Sequence, residues 1–274
     1  VPTDRSHLYS KGENKMLRSM YSGISGMKNF QTKLDVIGNN IANVNTYGFK
    51  KGRTTFTDMM SQTIQGAKGN DNLRGGVNPK QVGLGSTLST IDTISTQGSI
   101  QSTNRPLDLA ISGDGYFTLT EGTNTYYTRA GNFYLDESGK LVNSSGLNVK
   151  PNISIPSNAQ SFSIDSAGVV SFVDNAGNLQ TAGTLEITVF ANPDGLEKFG
   201  DNLFIETQNS GAPQATTAGN GGSGKLMAGA LEMSNVDLSE EFTEMIVAQR
   251  GFQANTRIIT TSDEILQELV NLKR

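Results

Sequence analysis

The chain has 274 residues and no cysteine, which excludes disulfides, thiolate metal sites and a cysteine nucleophile. A net charge of −4 argues against nucleic acid or an anionic membrane as the main partner. With 35% apolar residues it can bury a core but not a rich one, and no apolar run reaches the roughly 18 residues of a membrane helix.

In chain order, Val1–Lys15 is polar, lacks the apolar run of a secretory signal, and is expected to be a flexible extension. It holds the sole histidine, His7, so imidazole base chemistry and histidine metal sites are not expected. From Met16, apolar residues recur by threes and fours: Leu17, Met20, Ile24, Met27, Phe30, Leu34, Ile37, Ile41 and Val44. That spacing predicts an amphipathic helix over 16–48, with Gly48 free to take the left-handed conformation that closes it. Asn39, Asn40, Asn43 and Asn45 cluster near its end, either as a helix terminus alone or as paired donors and acceptors for neighbouring subunits.

Residues 49–86 are glycine-rich, with Gly66, Gly69, Gly75, Gly76, Gly83 and Gly85, and read as a linker or an arm held by a neighbour. Residues 87–207 carry short strand patterns around 107–111, 116–120, 126–128, 132–135, 162–164, 169–173, 185–190 and 203–205. Asp136–Gly139, Asp165–Gly168 and Asp174–Gly177 each place Asp three residues before Gly, the signature of a type I turn closed by a left-handed residue. They lack the alternating carboxylates of a calcium loop. Gly219–Lys225 nearly spells a phosphate loop, but Leu226 stands where the magnesium-binding hydroxyl belongs. Residues 208–233 read as a flexible return linker.

Over 234–274, Leu238, Phe242, Met245, Phe252, Ile259, Leu266 and Val270 recur at heptad spacing, with Gln249, Thr256 and Asp263 filling the gaps. A second set, Ile246, Ile258, Ile265, Leu269 and Leu272, widens the stripe. Such a helix is about 50 Å long, more than the rest of the chain can cover as a core helix. The first helix is a candidate partner, since residues 16–44 sum to about +2 and residues 236–272 to about −5. Packing of each helix onto its own domain remains the other reading.

These residues also carry a resemblance. Leu17–Lys51, with Asn39-Asn40-Ile41-Ala42-Asn43-Val44-Asn45-Thr46-Tyr47-Gly48-Phe49-Lys50 at its core, resembles the N-terminal signature of the bacterial flagellar axial proteins, the rod and hook subunits. Ser234–Leu238 and Met245–Asn255 resemble the family's C-terminal signature. Arg105–Ile111, Gly113–Phe117 and Tyr127–Phe133 resemble its β domain. The resemblance points first to the hook subunit, through Phe49–Asp58, and next to the distal rod subunit, through the chain length and the stretches 152–156 and 208–213.

The expected fold is therefore α+β, with long N- and C-terminal helices paired as an inner coiled-coil layer and a β-rich outer domain inserted between them. The resemblance implies a non-enzymatic subunit without cofactor or metal, leaving the cell through the flagellar type III export apparatus. It implies a hook tube that transmits torque, with rod, hook-cap and hook–filament junction proteins as partners and no nucleic acid or membrane insertion. The expected assembly residues are Leu17, Ile24, Leu34, Ile37 and Ile41 on one helix and Phe242, Met245, Phe252, Ile259 and Leu266 on the other. Asn39, Asn40, Asn43, Asn45, Gln249, Arg250, Gln253 and Asn255 are expected to set lateral register.

Overall fold

The computed structural model describes residues 5–70, 75–156 and 159–272, with backbone alone for 5–17 and 269. Its architecture is α+β: an N-terminal helix, a β-rich middle and a C-terminal helix. The chain divides into two compact units, one of Val1–Asn39, Gly52–Asp92 and Leu238–Arg274, the other of Asn40–Lys51 and Thr93–Asp237.

In chain order, α1 (Arg5–Ala42) is followed by β1 (Gly52–Asp58), β2 (Ser61–Gln65), β3 (Lys80–Gly83), β4 (Ser86–Thr93), β5 (Ile100–Ser102), β6 (Leu109–Ser112), β7 (Tyr116–Glu121) and β8 (Asn124–Thr128). Next come β9 (Tyr134–Leu135), β10 (Leu141–Val142), β11 (Asn148–Val149), β12 (Ser161–Ile164), β13 (Val169–Val173), β14 (Leu179–Thr184) and β15 (Glu186–Val189). The chain closes with β16 (Glu197–Gly200), β17 (Leu203–Ile205), β18 (Gln214–Thr217), β19 (Lys225–Ala228), β20 (Ala230–Glu232) and α2 (Leu238–Leu272).

The helical unit joins α1, α2 and an arm made of β1 to β4. In the arm β1 pairs with β4 and β2 with β3. The first pair is tied by Thr55 and Thr90, whose hydroxyls lie 2.6 Å apart. The glycine-rich stretch between β2 and β3 thus joins two paired strands. Thr63, Thr87, Thr90 and the valines at 77 and 82 supply strand propensity within an otherwise loop-like composition.

In the β unit the main sheet runs β16-β17-β8-β7-β11-β10-β9, and β7 also pairs with β15, which pairs with β18. A second sheet orders β12-β13-β14, and β19-β6 and β20-β5 form separate pairs. Its core is Leu109, Ile111, Phe117, Leu119, Phe133, Leu185 and Ile187, all fully buried, with Phe117 and Phe133 edge to face at 5.1 Å. Alternation explains the choice: β7 sends Phe117 and Leu119 to this core while Tyr116 joins a smaller aromatic cluster with Tyr127, Phe190 and Phe204. The three Asp-x-x-Gly segments are the turns expected of them. Gly139, Gly168 and Gly177 have φ of 74°, 82° and 81°, and each donates its N–H to the carbonyl of the Asp three residues back.

Two boundaries differ from expectation. The helix already begins at Arg5, inside the stretch read as an extension ahead of Met16. Residues 5–15 contain no proline, and extending an established helix adds a hydrogen bond for each residue fixed. The low-complexity return at 208–233 contains β18, β19 and β20, each paired with a strand far away in sequence. Small residues such as Ala215, Ala228 and Ala230 give little local signal, and pairing with β15, β6 and β5 is what orders these strands.

Candidate assembly surface

The two terminal helices meet antiparallel. Gly23 lies against Ile259, Gly26 against Asn255 and Phe30 against Gly251, so partner numbers fall along α2 as they rise along α1. Lys33 and Glu244 form an ion pair farther along, half-exposed and so of small energetic weight. The packing is small against large. A Cβ on Gly251 would stand 2.5 Å from Phe30 Cζ, and one on Gly26 would stand 3.0 Å from the Asn255 amide.

The heptad that faces α1 is not quite the one read from sequence. Met245, Phe252, Ile259 and Leu266 are half-buried, as the stripe requires. The positions that alternate with them are Glu241, Ala248, Asn255 and Ser262, of which Ala248 is fully buried. Of the positions expected to fill the gaps, Gln249 and Asp263 are exposed, while Thr256 is half-buried and its hydroxyl donates to Met27 Sδ at 3.8 Å. Both registers step by threes and fours through the same large residues. The tertiary contact selects the one whose small side chains leave room for α1, and sequence periodicity weights only the apolar ones.

Two apolar patches on α2 lie outside this contact. Near the N-terminal end Leu238, Phe242 and Ile246 are exposed, Phe242 by 50% and Ile246 by 59%. On the opposite flank Val247, Ile265 and Leu272 follow helical spacing, Ile265 being 49% exposed, while Ile258 on the same side reaches Gly23 of α1. Phe242 therefore stands on the open surface, together with the exposed Gln249, Arg250 and Gln253, while Asn255 is part of the contact with α1. On α1, Ile37 is buried, and Ile24, Leu34 and Ile41 are half-buried. The side chain of Leu17 lies outside the described residues.

The arm is a third apolar surface. Every described residue of β2 and β3 is exposed. Gln62 pairs with Val82, Thr63 and Gln81 hydrogen-bond on the other face at 3.1 Å, and Met60, Ile64 and Val82 are all exposed. A lone two-stranded ribbon is marginal in water, and an apolar face on one requires cover.

In the β unit, the segment after α1 and the segment before α2 are fastened side by side. The Gly48 N–H donates to the Glu232 carbonyl at 2.8 Å, and the Lys51 N–H donates to Asn235 Oδ1 at 2.7 Å. Asn235 Nδ2 donates in turn to the Ile94 carbonyl. Gly48 has φ of 69°, and a Cβ there would meet Ala130 N at 2.6 Å, so both conformation and space demand glycine. The Asn run divides: Asn40 is buried, Asn43 accepts from the Thr46 hydroxyl at 3.0 Å, and Asn39 and Asn45 are exposed. Asn45 lines a polar cavity with Tyr47, Asn132, Ser144, Asp201 and Asn202.

Beneath this junction lies an ion cluster that sequence reading missed. Glu232 takes Lys50 Nζ at 2.6 Å and the Gly98 N–H at 2.9 Å on one oxygen, and Arg129 Nε at 2.5 Å on the other. The side chains of Glu232, Lys50 and Arg129 are all nearly or completely buried. Arg129 also donates to the carbonyls of Gly115, Ile111 and Gly113. Burial by itself pushes the Glu232 carboxyl up, but the Arg129 and Lys50 charges outweigh it and hold the carboxyl below its ordinary value. For Lys50, burial outweighs the attraction of Glu232 and pulls the ammonium down. The one available signal was a charged residue inside each of three apolar motifs, and charge alone does not say which residues meet.

Among the described residues no group of three or more acidic or histidine side chains could hold a metal, and no helix is long and apolar enough to cross a membrane.

Three family models match the chain. Residues 20–50 match that for the flagella basal body rod protein, residues 110–172 that for the flagellar hook protein FlgE/F/G D1 domain, and residues 227–272 that for the flagellar basal body rod FlgEFG protein C-terminal. The chain is similar to the flagellar basal-body rod protein FlgG of Bacillus subtilis, with 64% identity over 264 residues covering 94% of this chain and 100% of that protein. It is similar to the flagellar basal-body rod protein FlgG of Borreliella burgdorferi, with 42% identity over 265 residues and the same two coverages, 94% and 100%. The flagellar hook protein FlgE of Borreliella burgdorferi is 32% identical over 441 aligned residues, again covering 94% of this chain and 100% of that protein.

Proposed function

Because this chain belongs to the family of flagellar basal-body rod and hook proteins, a structural component of the bacterial flagellum and not an enzyme, we propose that it is the distal rod subunit. The observation that carries this reading is alignment length. The rod relative aligns end to end over 264 positions, whereas the hook relative needs 441 for a chain of 274 residues, so that hook protein has stretches this chain lacks. The preference for a hook drawn from Phe49–Asp58 is set aside on that ground.

In this reading copies stack by a screw operation, which does not close on itself and so builds a tube. The antiparallel α1 and α2 form a coiled-coil layer lining the channel, and the β-rich segment forms the wall outside it. The exposed α2 patches and the arm's apolar face are covered by neighbouring copies. Gln249, Arg250, Gln253, Asn39 and Asn45 would then lie where lateral hydrogen bonds fix register. Further partners are the adjoining rod and hook subunits and, in transit, the flagellar export apparatus.

Deleting the gene and imaging the purified basal bodies tests this. A rod subunit predicts particles that end short of the distal rod and carry no hook. A full-length rod lacking only its hook would return the chain to the hook reading.

A further inference from the structure

A cavity of about 190 Å³ opens beside the buried ion cluster, lined by Lys50 and Arg129 with Tyr116, Phe190, Asp114 and Ala191 among the walls. The cluster sets two buried cations against one buried carboxylate. Lys50 gives two of its three ammonium protons to the Thr96 carbonyl and Glu232. Arg129 gives four of its five N–H groups to Glu232 and to the carbonyls of Gly115, Ile111 and Gly113. Among the described residues one donor on each cation has no acceptor, and both residues line the same cavity. The one acid among the lining residues, Asp114, is exposed and acts on Lys50 only weakly, behind Glu232.

We propose that this cavity is a carboxylate-binding site, taking one carboxylate group between Lys50 and Arg129. Charge and shape both fit. An anion would balance the surplus cation, a planar carboxylate suits the fork of a guanidinium, and a cavity of this size holds a few waters or one such group. Asp114 and Ala191 are its exposed lining residues and mark the mouth. Asp114 would repel an arriving anion. The carboxylate has two possible sources, a free small acid in solution or an Asp or Glu side chain of a second copy reaching in at the mouth.

The test uses the full chain at neutral pH, with sodium acetate replacing sodium chloride at constant ionic strength. Acetate should raise the melting temperature in a saturable way, by about 2–4 °C. Ala191→Phe, at the exposed mouth, should block the effect without disturbing the buried ions. Asp114→Asn should lower the acetate concentration for half-effect severalfold. No acetate-specific shift, or a shift unchanged in Ala191→Phe, would overturn the proposal. The two sources separate on assembly. If a neighbour's carboxylate fills the site, polymer no longer binds radiolabelled acetate and acetate slows polymerisation. If a free acid fills it, polymer and monomer bind equally.

Discussion

The ring of Phe30 rests on the backbone of Gly251, so closely that no side chain fits between the two helices at that point. Gly251 lies within α2, where glycine costs about 1 kcal/mol against alanine. The close approach of α1 compensates. Gly251→Ala should therefore lower the melting temperature of the helical signal despite its better propensity, since overpacking costs about 1–3 kcal/mol. In a Phe30→Ala background the same change should be neutral or stabilising. A double-mutant cycle read by circular dichroism checks this, and simple additivity would show that the ring does not press on that glycine.

The buried contact of α2 and its exposed flanks should respond differently to mutation. Phe252→Ala removes packing at the α1 contact and should cost on the order of 2 kcal/mol, at the low end for a half-buried ring, and prevent assembly while leaving the β unit folded. Ile265→Asp alters an exposed position, so the isolated chain should melt within about 0.5 kcal/mol of the parent, yet form no tubes. Sedimentation and negative-stain images of both variants are the measurement. Normal tubes from Ile265→Asp would mean that this flank faces solvent in the polymer.

Glu232 anchors the β unit through charge. Glu232→Gln leaves Lys50 and Arg129 buried without their counterion and should cost about 3–5 kcal/mol. The pH dependence follows from the lowered carboxyl. Between its folded and unfolded pKa values the unfolded chain binds more protons, so stability rises with pH across that window. The contribution is fully present above the unfolded value and is lost as pH falls through the folded one. Urea melts of the parent should thus weaken in acid, and those of Glu232→Gln should change less over the same range.

The arm contributes little to the isolated chain. Replacing Ser61–Gly83 with a short turn removes only exposed strand residues among those described and should change stability by less than about 1 kcal/mol. Assembly should suffer, because the exchange removes Ile64 and Val82, exposed apolar residues that neighbouring copies cover in the polymer. Equal yields and lengths of tubes from the shortened chain would assign the arm no part in subunit contact.

Local chemistry determined the helices, the hairpin turns and the membership of the family. Threes and fours of apolar residues mark α1 and α2 whatever surrounds them, and Asp-x-x-Gly specifies its turn within four residues. Tertiary structure decided what depends on distance between segments. It chose Ala248 and Ser262 over Gln249 and Asp263 for the helix contact, since the room left for α1 depends on both helices. It ordered β18 to β20, whose own local signal is weak, by pairing them with β15, β6 and β5. It also brought Lys50, Arg129 and Glu232 together from three separate motifs. A buried charge is stable only beside its counterion, and which counterion it meets is a property of the folded chain.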